Sequence, residues 1–149
     1  MREDRSTRRT RVYAIKTEIA NPKAEAFTFR DQKTMYGGKG IAEGDTIFLF
    51  ASENEGGSGL FACGVVTSVE PTPTKPGPER QTPRVSITVR RTAPAKRRLG
   101  RSELKPFCDW NSSRPGIELN FKLYRQATDK IVGISGEAAA FLGGFFQRG

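Results

Sequence analysis

Apolar and polar positions alternate with a period of two in several short runs of this chain, which is the signature of half-buried strands. In "RVYAIKTEI" (11–19), Val12 and Ala14 fall on one face and Tyr13 and Ile15 on the other. "TIFLFA" (46–51) is almost uniformly apolar, as a strand covered on both faces would be. After the polar turn "SENEGGSG", the run "GLFACGVVTSVE" sets Phe61, Cys63, Val65 and Val69 against smaller residues. Gly64 inside it predicts a bulge or the close passage of another backbone. "RVSITVR" (84–90) turns Val85, Ile87 and Val89 inward, and "IELNFKLY" (117–124) sets Ile117, Leu119, Phe121 and Leu123 on one face.

Helical signals are fewer. Asn21 and Pro22 have the character of a cap and first helical residue, and with Glu25 they predict a short helix over 22–29. A long loop, "RDQKTMYGGKGIAEGD", would follow it. "SGEAAAFLGGFF" (135–146) reads as a helix capped by Ser135, with Glu137 at its positive end and Phe141, Leu142, Phe145 and Phe146 packing inward. Gly143 and Gly144 weaken that helix. The prolines of 71–83 predict an extended loop. Five or six strands with short helices at each end give an α+β chain. One-sided strands in so short a chain avoid exposed edges best by closing into a small mixed or antiparallel β-barrel. A length of 149 residues supports one domain, 11–149, preceded by an arginine-rich arm, 1–10, that includes Arg5, Arg8 and Arg9.

Charge alters this picture by naming a partner class. Lys and Arg exceed Asp and Glu by nine, so the surface attracts polyanions, nucleic acid first among them. Between 90 and 105 seven basic residues face one acid, Glu103. Lys96, Arg97, Arg98 and Arg101, with Lys39 in the "YGGKG" loop, are the candidate phosphate contacts, and a solvated loop of charges is the alternative. The chain has no histidine, which closes Ser-His-Asp and Cys-His catalysis and most zinc sites to it. No cofactor or metal motif is present, and "YGGKG" is too short for a phosphate loop. Cys63 and Cys108, far apart, suit free thiols in a reducing, cytoplasmic setting. No run reaches the roughly 20 apolar residues of a membrane span.

"GDTIFLFAS" followed by "GLFACGVVTSVEPTP" resembles the central hairpin of the PUA-like superfamily, and within it the EVE domain, a relative of the YTH readers of methylated RNA. Gly44 and Asp45 match the turn, Phe50 and Ser52 the strand end, and Gly64, Val65 and Val66 the return strand. The tail "DKIVGISGEAAAFLGGFF" is similar to the closing segment of such domains. Where EVE domains carry a Trp-Gly-Val-Arg-Asn segment before the turn, this chain has "KTMYGGKGIAE". Lys33 and Thr34 are similar to a pair in the ASCH branch of the superfamily.

The resemblance implies a non-catalytic module that binds DNA or RNA and holds a flipped, modified base in a barrel-end pocket. Tyr36, Phe50, Ser52, Trp110 and Asn111 are the candidate pocket residues. Each has a plainer role: Trp110 as a lid over the barrel end, Tyr36 as a loop residue, Phe50 as core, Ser52 and Asn111 as turn or cap residues. The ASCH likeness implies an enzyme instead, a nuclease or amide hydrolase using Lys33 with Glu43 or Asp45 as acid and base.

Overall fold

The computed structural model of the chain describes residues 11–72, 84–112, 114–126 and 130–147. The basic arm and nearly all of the proline-rich loop lie outside these residues. Six strands form a closed barrel in the order β1-β3-β4-β5-β2-β6. They are β1 (Val12–Thr17), β2 (Ala26–Met35), β3 (Thr46–Ala51), β4 (Gly59–Pro71), β5 (Arg84–Pro94) and β6 (Lys130–Gly133). β1 pairs with β3, and β2 with β6, in parallel; the other neighbours are antiparallel. The barrel is therefore mixed. Among the described residues three short α-helices accompany it: α1 (Arg101–Leu104), α2 (Pro115–Asn120) and α3 (Gly136–Gly143).

The period-two pattern places two cores, one on each side of the sheet. Tyr13, Ile15, Ile47, Leu49, Ile87 and Val89 fill the barrel. Their alternates Ala14, Phe48 and Phe50 point outward and are covered by Leu104, Leu119, Leu123, Ala138 and Leu142 from the helices. This two-sided burial explains why "IFLFA" (47–51) lacks polar positions. In β4 the more deeply buried set is Leu60, Ala62, Gly64 and Val66, whereas Phe61, Cys63 and Val65 are only half-buried. At Gly64 no side chain fits on the buried side because β5 crosses so closely. A Cβ on Gly64 would lie 2.6 Å from the Arg90 carbonyl oxygen, and the register shifts between Cys63 and Gly64.

Two expected elements are corrected. Residues 22–29 are not a helix: Asn21 caps a single turn, its side chain accepting from the Lys23 amide at 3.0 Å, and β2 starts at Ala26. The first part of the loop expected after that helix, up to Met35, belongs to the same strand, and the rest, 36–45, is turns around a short 3-10 segment. Phe27 and Phe29 alternate as a strand should, but the register shifts between Phe29 and Gln32, around Asp31 at φ +53°. That irregularity hides the strand from a simple period count.

Residues 117–124 are not a strand. Pro115 starts α2, which runs into a wider π-helical turn, Phe121–Gln126, and Leu119 and Leu123 are fully buried four residues apart. Alternation there coincided with a helical stripe whose true start signal was proline at the first helical position. α3 forms as expected, the Ser135 hydroxyl accepting from the Ala138 amide at 3.1 Å.

Replacing Gly64 with alanine forces its new methyl onto the Arg90 carbonyl. The expected cost is about 1–3 kcal/mol, read as a lower urea midpoint at unchanged slope.

Candidate functional site

A cleft of about 580 Å³ opens where β1 begins, β2 ends and β6 leaves the barrel. Arg11, Tyr13, Tyr36, Lys122, Gly133 and Ser135 are among the residues that wall it. Glycines set the position of its exposed ring. Gly37 takes φ +81°, a left-handed conformation, and Tyr36 itself sits at φ +55°, which is costly for a residue with a side chain. The segment can do this because its backbone rests directly on β6. A Cβ on Gly38 would collide with the Ile131 carbonyl, and one on Gly133 would lie 2.5 Å from the Tyr36 carbonyl oxygen. The "YGG" triplet thus holds Tyr36 at the rim with 39% of its surface exposed, while Tyr13 is 1% exposed.

The cationic wall is fixed by a chain of charge-assisted bonds. The Lys122 ammonium donates to Glu118 Oε2 at 3.0 Å and to the Gly133 carbonyl at 2.9 Å, and it lies 4.8 Å from the centre of the Tyr36 ring. Glu118 in turn accepts from the Ser135 amide at 2.8 Å and the Ser135 hydroxyl at 2.5 Å. Burial alone would raise the Glu118 pKa, but the Ser135 hydroxyl and amide, together with Lys122, outweigh burial and hold it below the ordinary 4.5. α2 is thereby tied to the first turn of α3, and one ammonium faces an aromatic ring beside the cleft. Donors dominate this wall, so it suits a ligand that presents acceptor atoms and a flat π-face.

Few of the expected site residues meet there. Tyr36 does. Phe50 is fully buried beneath the helices and Ser52 is 3% exposed, so both belong to the packed interior, not to the cleft. Trp110 and Asn111 occupy the loop before α2. The Asn111 amide donates to Asp109 Oδ1 at 3.3 Å, and the Trp110 ring rests on Phe121, outside the cleft wall.

The basic run folds around the far end of α3. Lys96 and Arg97 donate their amides to the Phe145 carbonyl, and the Arg97 guanidinium lies 4.9 Å from the Phe145 ring. Since α3 starts at the cleft and rises about 1.5 Å per residue, this run sits roughly 12 Å along the helix from the rim. Arg98 pairs with Glu103 at 3.3 Å. Arg101 donates its amide to Glu53 at 2.7 Å and its side chain to Asn54 at 3.0 Å. All four cations, and Lys39, nevertheless remain exposed.

Asp45 accepts from the Ala42 amide at 2.9 Å, so its carboxylate closes the turn in which Gly44 takes φ +94°. This is why Gly-Asp precedes β3. Lys33 and Glu43 are both exposed. Arg11, Tyr13, Lys122 and Ser135 escaped the sequence reading. Three of them lie in segments read simply as strand or helix, and Lys122 was placed on the wrong kind of element.

Behind the basic run, Lys16 is 2% exposed with its ammonium 5.0 Å from the centre of the Tyr124 ring. The Tyr124 hydroxyl donates to both Glu53 oxygens at 3.1 Å. Burial and then the Glu53 charge push the Tyr124 pKa well above its usual value. Among the described residues no three His, Cys, Asp or Glu side chains gather to hold a metal, and no helix is long and apolar enough to cross a membrane.

No family model and no curated protein matches the sequence. Solved structures do match in shape. Human THYN1 protein, in a crystal complex with DNA containing 5-methylcytosine, superposes with a TM-score of 0.63 at 13% identity, covering 93% of this chain and 99% of that one. The DUF55 domain of human thymocyte nuclear protein 1 gives 0.64 at 15% identity over 92% and 99%. A Pseudomonas putida protein gives 0.61 at 16% identity over 91% and 99%. The chain shares the fold of these proteins, a small closed mixed β-barrel flanked by short helices.

Glu118→Gln is expected to cost about 1.5–3 kcal/mol at neutral pH through its lost charge-assisted bonds. Because the folded pKa of Glu118 is depressed, the wild-type advantage is complete above 4.5 and is lost as pH falls through the depressed value. Denaturant midpoints measured for both proteins from neutral pH into that acid range check this.

Proposed function

We propose that this chain is a non-catalytic nucleic-acid-binding module that reads a modified base flipped into the cleft beside Tyr36. The observation that carries the reading is the cleft itself, where one exposed ring, the fixed Lys122 ammonium and Arg11 stand at the end of a barrel. Its volume, about 580 Å³, lies in the range usual for small-ligand sites, roughly 300–1,000 Å³. Support also comes from the shared fold, since human THYN1 protein was crystallised with DNA containing 5-methylcytosine.

A base leaving a duplex loses a few kcal/mol of stacking and pairing, and stacking on a protein ring with donors at its acceptor edge returns a similar amount. Tyr36 supplies the ring; Arg11 and Lys122 supply the donors. Lys39, Lys96, Arg97, Arg98 and Arg101 contact phosphates flanking the base, and a separation of some 12 Å along α3 spans a few nucleotides of strand. No cofactor takes part.

The test is fluorescence anisotropy on matched DNA and RNA strands and duplexes, with and without 5-methylcytosine. If about four phosphates are neutralised, affinity falls on the order of a hundredfold between 50 and 200 mM salt. Tyr36→Ala removes the preference for the modified base at a cost of about 1–3 kcal/mol. Charge reversal at Arg97 and Arg98 weakens all sequences alike. Weak, salt-independent binding contradicts the reading.

A further inference from the structure

Trp110, Phe121 and Arg125 form a second cluster of rings and charge next to the cleft, and the base-reading role does not use it. Trp110 is the chain's single tryptophan and keeps 39% exposure. Its ring centre lies 5.5 Å from that of Phe121 and 5.0 Å from the Arg125 guanidinium. Phe121 and Arg125, four residues apart, share one side of a helical turn, and Lys122 of the same turn walls the cleft. Two exposed rings, Tyr36 and Trp110, therefore flank one stretch of helix, each with its own cation.

Charge identifies the occupant. Lys105, Arg114 and Arg125 are exposed around this loop against one exposed acid, Asp109, while Glu118 is already held by Lys122 and Ser135. An apolar protein surface would gain little from such cations. A polyanion that carries flat rings meets both features at once.

We infer that Trp110 and Arg125 make a second stacking platform, outside the cleft, for an unpaired nucleotide adjoining the one held at Tyr36, with Arg125 on its phosphate. The inference rests on the base-reading role of the cleft. Stacking of this kind tolerates every base, so the platform adds affinity without adding preference. It also favours a single strand over a duplex, in which neighbouring bases already stack on each other.

Because Trp110 is the sole tryptophan, intrinsic emission reports on the platform alone. A short single-stranded DNA carrying one 5-methylcytosine is titrated into the full chain, with binding followed by anisotropy of a labelled strand and stacking by tryptophan emission with an unlabelled one. Saturable quenching at the binding midpoint is expected, with little quenching by the matching duplex. Trp110→Leu weakens strand binding about tenfold and leaves the 5-methylcytosine preference unchanged, whereas Tyr36→Ala removes the preference and leaves the quenching. Arg125→Gln keeps the tryptophan and lowers the salt slope by about one.

Binding without quenching, or unchanged affinity in Trp110→Leu, ends the platform and leaves the cleft reading standing. Equal quenching by duplex rules out an unpaired occupant. A concentration-dependent emission change without DNA assigns the surface to a second copy of the chain and overturns the inference. Absence of any strand binding ends both proposals.

Discussion

Four residues close the barrel. Lys130–Gly133 pair antiparallel with β1 on one side and parallel with β2 on the other, and without β6 both of those strands would present an open edge. Ile131 and Val132, fully buried on opposite faces, peg the strand into both cores at once. The same strand is the bed on which the Tyr36 segment lies, and its last carbonyl anchors the Lys122 ammonium. The cleft is thus a by-product of closure: it forms where the chain leaves β6 and turns into α3.

That arrangement makes the site stiff before any ligand arrives. A ring at positive φ, a carbonyl within van der Waals reach of a glycine, and an ammonium bonded to both a carboxylate and β6 leave few alternative positions for Tyr36 and Lys122. Preorganisation of this kind lowers the entropic cost of binding. The surrounding charge, a formal +9, acts at longer range by drawing polyanions to the surface irrespective of sequence. Short-range shape and long-range charge are therefore carried by different parts of the chain, since the basic run folds partly onto Phe145, just past the far end of α3, and partly onto Glu53.

Legibility followed the physics of each segment. β1, β3 and β5 were readable because each keeps its face assignment over most of its length, β4 because its apolar run is long enough to survive its register shifts, and α3 because Ser135 caps it through a local bond. β2 was lost at the Asp31 irregularity, which puts Phe29 and Gln32 out of phase. α2 was mistaken because Ile117, Leu119, Phe121 and Leu123 satisfy a period of two, while the burial that decides between strand and helix comes from Leu142 and Ala138, far along the chain. At the site, Tyr36 could be found from its flanking glycines. Lys122 could not, since its importance depends on Glu118 and Gly133 meeting it in space.

The central claim is that a preformed cleft at the end of β6 receives a base, with the basic run in a supporting role. Backbone amide chemical shifts followed during titration with a 5-methylcytosine strand test this most directly. The largest changes are expected at Gly37, Gly133, Ile134 and Gly136, with smaller ones across 96–101. Changes confined to 96–101, with the cleft amides unmoved, would contradict the account.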